Sequence, residues 1–371
     1  NRYATTVNPA RANDGLTPFY TQPELDRFQS GSSPYLYPNV NWINQSLRDF
    51  GTTDKFSIAF QEQASAVRYY TVLNYNDEQG LLGPVDLNDG YSTQISAHKF
   101  NFRTNIDIDL TKSTKLSGNL SGNLSENNRP GTANNVNDVI SAIYNTPSGV
   151  FPVRTYNKRR WGGTSTYNNN PVALISADGY AVRGRRELMT DFILEQKMDK
   201  LVKGLSAEAA ISFDKSFDYS DRRTKQFQYE QLSPILDVAT GAVLDTTETL
   251  YQTNTTMTFS TSVPSQWRRT TALANLKYTR DWEDNELKTF LLFQREEFIL
   301  SGRFNVYRHL LAAGNVHYAK AGKYFADVTL SSNGTNMLPA GHRVGFFPAV
   351  SVAWKLSNEE FLVGNPILDN L

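Results

Sequence analysis

Cysteine is absent from all 371 residues, which excludes a disulfide framework and thiolate metal sites and suits a chain that folds in an oxidising envelope without bridges. Long apolar runs are missing too, and none approaches the roughly 20 residues that a membrane-spanning helix requires. Only strands could carry this chain through a bilayer. Excess charge of either sign is also lacking, since Lys plus Arg and Asp plus Glu each total 37. Without a net field, nucleic acid loses its main physical attraction and is not expected as a partner. The sequence opens at Asn1 with no initiator Met, basic leader or apolar h-region, so it is expected to be either processed or a fragment.

Constellations for catalysis are sparse. His98, His309, His317 and His342 fall on separate predicted strands or loops, with no metal-ligand spacing between them. No Gly-x-Ser-x-Gly elbow and no Walker-type phosphate loop occurs. The carboxylate pairs Glu296-Glu297 and Glu359-Glu360 are adjacent in sequence, and adjacent strand residues point to opposite faces, which makes them poor acid–base partners. The chain is therefore expected not to be an enzyme, and to hold no cofactor or metal.

What it has is aromatic content, 12% with 19 Tyr and 21 Phe, and alternation of period two. Phe100, Phe102, Ile106, Ile108 and Leu110 share one face of a predicted strand, while Lys99, Asn101, Arg103, Asn105, Asp107 and Asp109 share the other. The next segment repeats the device with Leu116, Gly118, Leu120, Gly122 and Leu124 against Ser117, Asn119, Ser121, Asn123 and Ser125. Similar segments recur to Trp354, about a dozen in all, each near the ~9–11 residues that cross an outer membrane obliquely. Short polar turns (111–115, 199–204, 281–286, 319–323) alternate with long Asn/Gly/Pro/Ser/Tyr-rich connections. Asn, Asp, Ser, Thr and Arg on the polar face suit a water-filled lumen, and Tyr69, Tyr75, Tyr278, Trp282, Tyr318, Tyr324 and Trp354 near strand ends suit interfacial girdles. A soluble all-β sandwich would alternate as well, with its apolar face turned to a core. One segment breaks the β pattern: Val136, Val139, Ile140 and Ile143 recur at helical spacing before Pro147, so a short helix is predicted inside a long loop.

The most site-like stretch runs from Arg154 to Pro171. Tyr156, Trp161 and Tyr167 can stack on sugar or peptide faces, and Arg159, Asn168 and Asn169 can hydrogen-bond. The competing readings are a solvated loop and a contact for a neighbouring protein. Arg185-Arg186 and Arg268-Arg269 read as rim or lumen charges.

Three runs then carry a resemblance. Asn333-Gly334-Thr335, Gly345-Phe346-Phe347-Pro348-Ala349, Ala353-Trp354 and Glu360-Phe361 together resemble the signature of the SusC/RagA family of TonB-dependent outer-membrane importers. Gly31, Pro38, Asn39 and Trp42 are similar to that family's first loop, although Asn41 stands where Asp is usual. The helical stretch leaving through Pro147 and Pro152 resembles a further family loop. The resemblance implies an all-β chain, part of a large antiparallel transmembrane β-barrel. On this expectation about a dozen strands form an open curved sheet with long extracellular loops and one short loop helix. The segments would be 1–53 (extracellular loop), 54–126 (first strands), 127–184 (long extracellular loop with helix), 185–357 (further strands) and 358–371 (periplasmic turn). The family's plug, TonB box and remaining strands, about 22 in a whole barrel, are not in these residues, so an internal fragment is expected. The implied function is import of oligosaccharides or peptides across the cell outer membrane. Membrane lipid, a SusD-like surface lipoprotein and, through the plug, the TonB complex would be its partners. The rival readings are a passive porin-type channel and a soluble all-β adhesin or carbohydrate-binding module.

Overall fold

Strictly alternating sequence gives strands whose faces differ, and in the computed structural model, which describes residues 2–83, 90–131, 136–156, 158, 160–237, 240–302 and 306–362, such strands dominate. Helices α1 (Arg2–Asn13), α2 (Gln22–Ser30) and α3 (Trp42–Ser46) precede β1 (Thr52–Gln63), β2 (Val67–Gln79), β3 (Ser96–Asp109) and β4 (Thr114–Pro130). Next come α4 (Val136–Asn145), β5 (Trp161–Gly162), α5 (Pro171–Ser176), β6 (Gly179–Lys197), β7 (Leu205–Thr224), β8 (Tyr229–Leu236) and β9 (Val243–Tyr251). The chain continues through β10 (Thr258–Trp282), β11 (Asn285–Leu300), β12 (Val306–Lys320), β13 (Tyr324–Thr335) and β14 (Val344–Trp354).

Eleven strands form one antiparallel sheet in the order β1-β2-β3-β4-β6-β7-β10-β11-β12-β13-β14, while β5, β8 and β9 make a small separate sheet. The main sheet is a meander, so turns alternate between its two ends. Connections 64–66, 110–113, 198–204, 283–284 and 321–323 all lie at one end and are short. The opposite end carries the connections 80–95, 131–178, 225–257 and 336–343, and also the brief 301–305. Gly204 shows why turn chemistry matters at the tight end: its φ is +86°, and a Cβ there would fall onto the Thr279 carbonyl oxygen.

Three expectations need correcting. The main-sheet strands span 11 to 25 residues rather than 9–11; β6, β7 and β10 run on past the length that a bilayer needs and project at the long-connection end. For the same reason β4 ends at Pro130 and β6 starts at Gly179, both inside the stretch expected to be loop (127–184). The loop helix predicted around Val136–Ile143 is present as α4, but four more α-helices accompany it among the described residues. Two of these, α3 and α5, are only five and six residues long, below the length at which a periodic signal shows. Of the expected final segment 358–371, residues 363–371 lie outside the described residues.

The buried core is not under the sheet. Its main cluster joins Trp42, Leu82, Val139, Ile143, Phe151, Trp161, Val172, Ile175, Phe227 and Tyr229, all from the segment before β1, the long connections or the small sheet. Among the described residues nothing packs on the apolar side of the wall. Accessible surface totals 23235 Å², against roughly 15,000 Å² for a compact monomer of this length.

Candidate functional site

The strand register decides which residues share a face, because directly opposed partners point the same way. One row reads Phe56, Tyr75, Phe100, Leu124 across β1 to β4. Others read Leu116, Leu194, Ala209, Ala274, Phe293, Ala312 from β4 to β12, and Thr289, Val316, Val328, Val350 from β11 to β14. The apolar face is thus continuous over all eleven strands, and it is open: Phe192 is 53% exposed, Leu291 62% and Val352 80%. Each such side chain forgoes about 1.5–3 kcal/mol while it stays in water. Hydrocarbon removes that cost, and among the described residues no second sheet packs on this face as the sandwich reading requires.

Within this face, glycines make room for rings. A Cβ on Gly122 would meet the Phe102 ring, and one on Gly184 would meet the Tyr219 ring. Two small positions in the strand pattern are therefore seats for aromatic neighbours on the next strand.

The opposite face is polar and extensively hydrogen-bonded. Ser212 Oγ donates to Asp191 at 2.6 Å, and Asn123 Nδ2 donates to Glu187 at 3.2 Å. Asp218 is 2% exposed and accepts from Arg185 Nε at 2.8 Å and Arg183 Nη2 at 3.2 Å, so two guanidiniums share one carboxylate. Trp267, Phe298 and Tyr307 form a ring cluster on this side, with the Arg269 guanidinium 5.7 Å and 5.5 Å from the first two ring centres. Sequence reading missed that cluster, whose members come from three strands. The neighbours Glu296 and Glu297 do point apart: Glu296 faces Arg269 at 3.7 Å on the polar side, and Glu297 faces Arg308 at 3.1 Å on the other.

At the long-connection end the loops build their own core, and it sorts the predicted contact residues. Trp161 is buried, with the Arg154 guanidinium 3.5 Å from its ring centre and Phe227 at its edge. Buried and with a guanidinium over its ring, it holds the loops together and is not offered for stacking. Tyr156 is 57% exposed, edge-on to Tyr35 at 6.4 Å, and its hydroxyl donates to Glu248 at 3.4 Å. Tyr167, Asn168 and Asn169 are exposed, and Tyr167 closes a turn with Thr164. Arg159 lies outside the described residues. Its neighbour Arg160 reaches the buried Glu230 at 2.8 Å and Glu248 at 3.8 Å.

Asn170 is the residue that sequence reasoning overlooked. Fully buried, it donates through Nδ2 to the Val153 and Gly162 carbonyls, and its Oδ1 accepts from Val172 N and Ala173 N at the start of α5. The signal was available, since Asn followed by Pro is an N-cap with Pro in the first turn.

No family model matches the chain. It is 20% identical to TonB-dependent receptor P3 of Formosa agariphila, over 87% of this chain and 32% of that protein. It is 21% identical to TonB-dependent receptor P26 of the same organism, over 89% of this chain and 33% of that protein. The chain therefore spans about a third of the curated relatives it matches. Among solved structures, the RagAB peptide importer in its open-open state superposes with a TM-score of 0.62 at 11% identity, covering 98% of this chain and 42% of that one. The chain has the fold of a SusC/RagA-type TonB-dependent receptor barrel. It is outer-membrane barrel wall.

In the receptor barrel, short turns are periplasmic and long connections extracellular. Aromatics gather on the lipid side just above the short turns. Trp282 and Tyr318 pack at 6.4 Å, and Tyr324 stacks on Trp354 at 6.3 Å. The girdle read from the sequence is therefore assembled from rings on neighbouring strands.

Proposed function

We propose that the protein imports oligosaccharides or peptides across the outer membrane, energised by TonB acting on a plug and capped by a SusD-like surface lipoprotein, with this chain supplying wall and extracellular loops. The observation that supports the reading is the pairing of a polar, hydrogen-bonded inner face with loops that carry their own buried core. Loops ordered in this way can present side chains at fixed positions, as a selective binding cavity needs. Tyr156, Tyr167, Asn168 and Asn169 are the residues proposed to touch cargo, with Tyr35 beside Tyr156.

Uptake of fluorescent oligosaccharides and peptides by cells with and without the gene tests this, with and without a protonophore. Uptake that needs both the gene and the proton gradient is expected. Gene-dependent uptake that survives the protonophore would instead identify a passive channel.

A further inference from the structure

On five neighbouring strands the lipid-facing row of side chains runs from apolar residues to a cation, and on β7 and β10 the two cations, Lys215 and Arg268, are direct register partners. Counting up from the periplasmic turns, β6 presents Leu194, Phe192 and Leu188 and then Arg186, while β7 presents Ile211 and Phe213 and then Lys215. Strand β10 presents Leu276, Ala274, Ala272 and Thr270 and then Arg268; β11 presents Leu291 and Phe293 and then Arg295; β12 presents Ala312 and Leu310 and then Arg308. Register fixes their adjacency: Lys215 lies directly opposite both Leu188 and Arg268, and Arg295 lies opposite Leu310. The doublets Arg185-Arg186 and Arg268-Arg269 are split by the wall, one member of each facing the lumen and the other facing lipid.

Charge is unbalanced among these cations. Arg308 and Arg295 share Glu297, at 3.1 Å and 4.0 Å. Among the described residues no ion pair joins Lys215 or Arg268 to a carboxylate. Like charges directly opposed across a strand pair repel each other, and here they do so at the edge of a low-dielectric slab. Both cations line a hollow of about 210 Å³ with Gln266, Ile299 and Gly302. Nearer the periplasm on the same strands, the apolar face dips into a groove of about 820 Å³, bordered by Leu194, Ala209, Leu291, Phe293 and Gly314.

We infer that Lys215 and Arg268 bind the phosphate of a lipid in the extracellular leaflet, with an acyl chain of that lipid lying in the groove beneath. The hollow matches a phosphate in charge and position, because headgroup phosphates sit where hydrocarbon ends. The groove matches the chain that the same molecule must place one layer deeper. This inference needs only the barrel in its bilayer, not the import reading.

The test uses purified protein in neutral phosphatidylcholine nanodiscs doped with bisphosphorylated lipid A, with dephosphorylated lipid A, or with neither plus inorganic phosphate. Lipid retained through purification is counted by mass spectrometry. Bisphosphorylated lipid A is expected to be retained over its dephosphorylated form, and Lys215→Gln with Arg268→Gln is expected to cut retention about fivefold per cation, about 25-fold together. The charge-keeping pair Lys215→Arg with Arg268→Lys should retain within about twofold of wild type, on the same per-cation scale. Equal retention of the two lipid forms overturns the inference, as does inorganic phosphate binding as tightly as the lipid. If the double Gln variant does not fold, the two lipid forms compared on wild-type protein decide the matter alone.

Discussion

The indole N–H of Trp354 donates to Glu359 Oε1 at 3.0 Å, and the Tyr324 hydroxyl donates to the same oxygen at 2.6 Å. Lys323 Nζ takes the other oxygen at 3.1 Å. One carboxylate thus ties the end of β14 to the turn before β13, and it belongs to Glu359 rather than to Glu360 of the recognised motif.

These three donors, Tyr324 foremost, hold the Glu359 carboxyl down at about 2, from 4.5. A lowered carboxyl contributes stability that is present above its unfolded value and is lost as pH falls through the folded value. The 355–359 turn is therefore expected to loosen between about pH 4.5 and 2. Trp354 fluorescence in liposomes during acid titration should report a transition in that window, and Glu359→Gln should abolish it.

Asp178, between α5 and β6, is shifted the other way: burial pushes its carboxyl up to about 7, from 3.8. Here the folded state holds the proton more tightly, so the stabilisation is complete below the unfolded value and disappears as pH rises through 7. Hydrogen exchange over residues 171–176 should accelerate from pH 4 to 8 beyond the intrinsic rate. Asp178→Asn should flatten that dependence and protect the segment at pH 8.

Leu291 and Thr271 sit on neighbouring strands but face lipid and lumen respectively. Leu291→Arg near mid-bilayer is expected to cost about 2–4 kcal/mol of folding free energy, and Thr271→Arg far less. Urea titrations of folding into liposomes measure both; equal costs would refute the assignment of faces.

Trp161→Ala should destabilise the loop core by about 3–5 kcal/mol, as large-to-small changes in packed interiors do, and expose 131–178 to surface protease. Tyr156→Ala should leave protease resistance unchanged while weakening cargo uptake. Loss of resistance in the Tyr156 variant, or none in the Trp161 variant, would reverse their roles.

Alternation made the wall legible, because a strand exposed to lipid on one side and water on the other must repeat every second residue. Phe100 and Phe102 against Asn101 and Arg103 state that without any partner strand. The same local rule had no purchase on Trp161 and Asn170, whose roles come from Phe227, Val153 and Gly162, segments brought together only when the loops pack. Strands β8 and β9 were missed although Thr240 and Gly241 mark a turn between alternating runs. They leave the membrane wall, and nothing in their pattern distinguishes them from strands that stay.

The amino-acid order by itself determined the two-faced strands, their sequence along the meander and the family they resemble, since each depends on neighbours two to twenty residues apart. Folding in three dimensions decided which aromatic residue is core and which is surface. It also decided which carboxylate closes the last turn, and that Lys215 and Arg268 meet across neighbouring strands on the lipid side. Register across non-adjacent segments sets those outcomes, and register is a property of the assembled sheet.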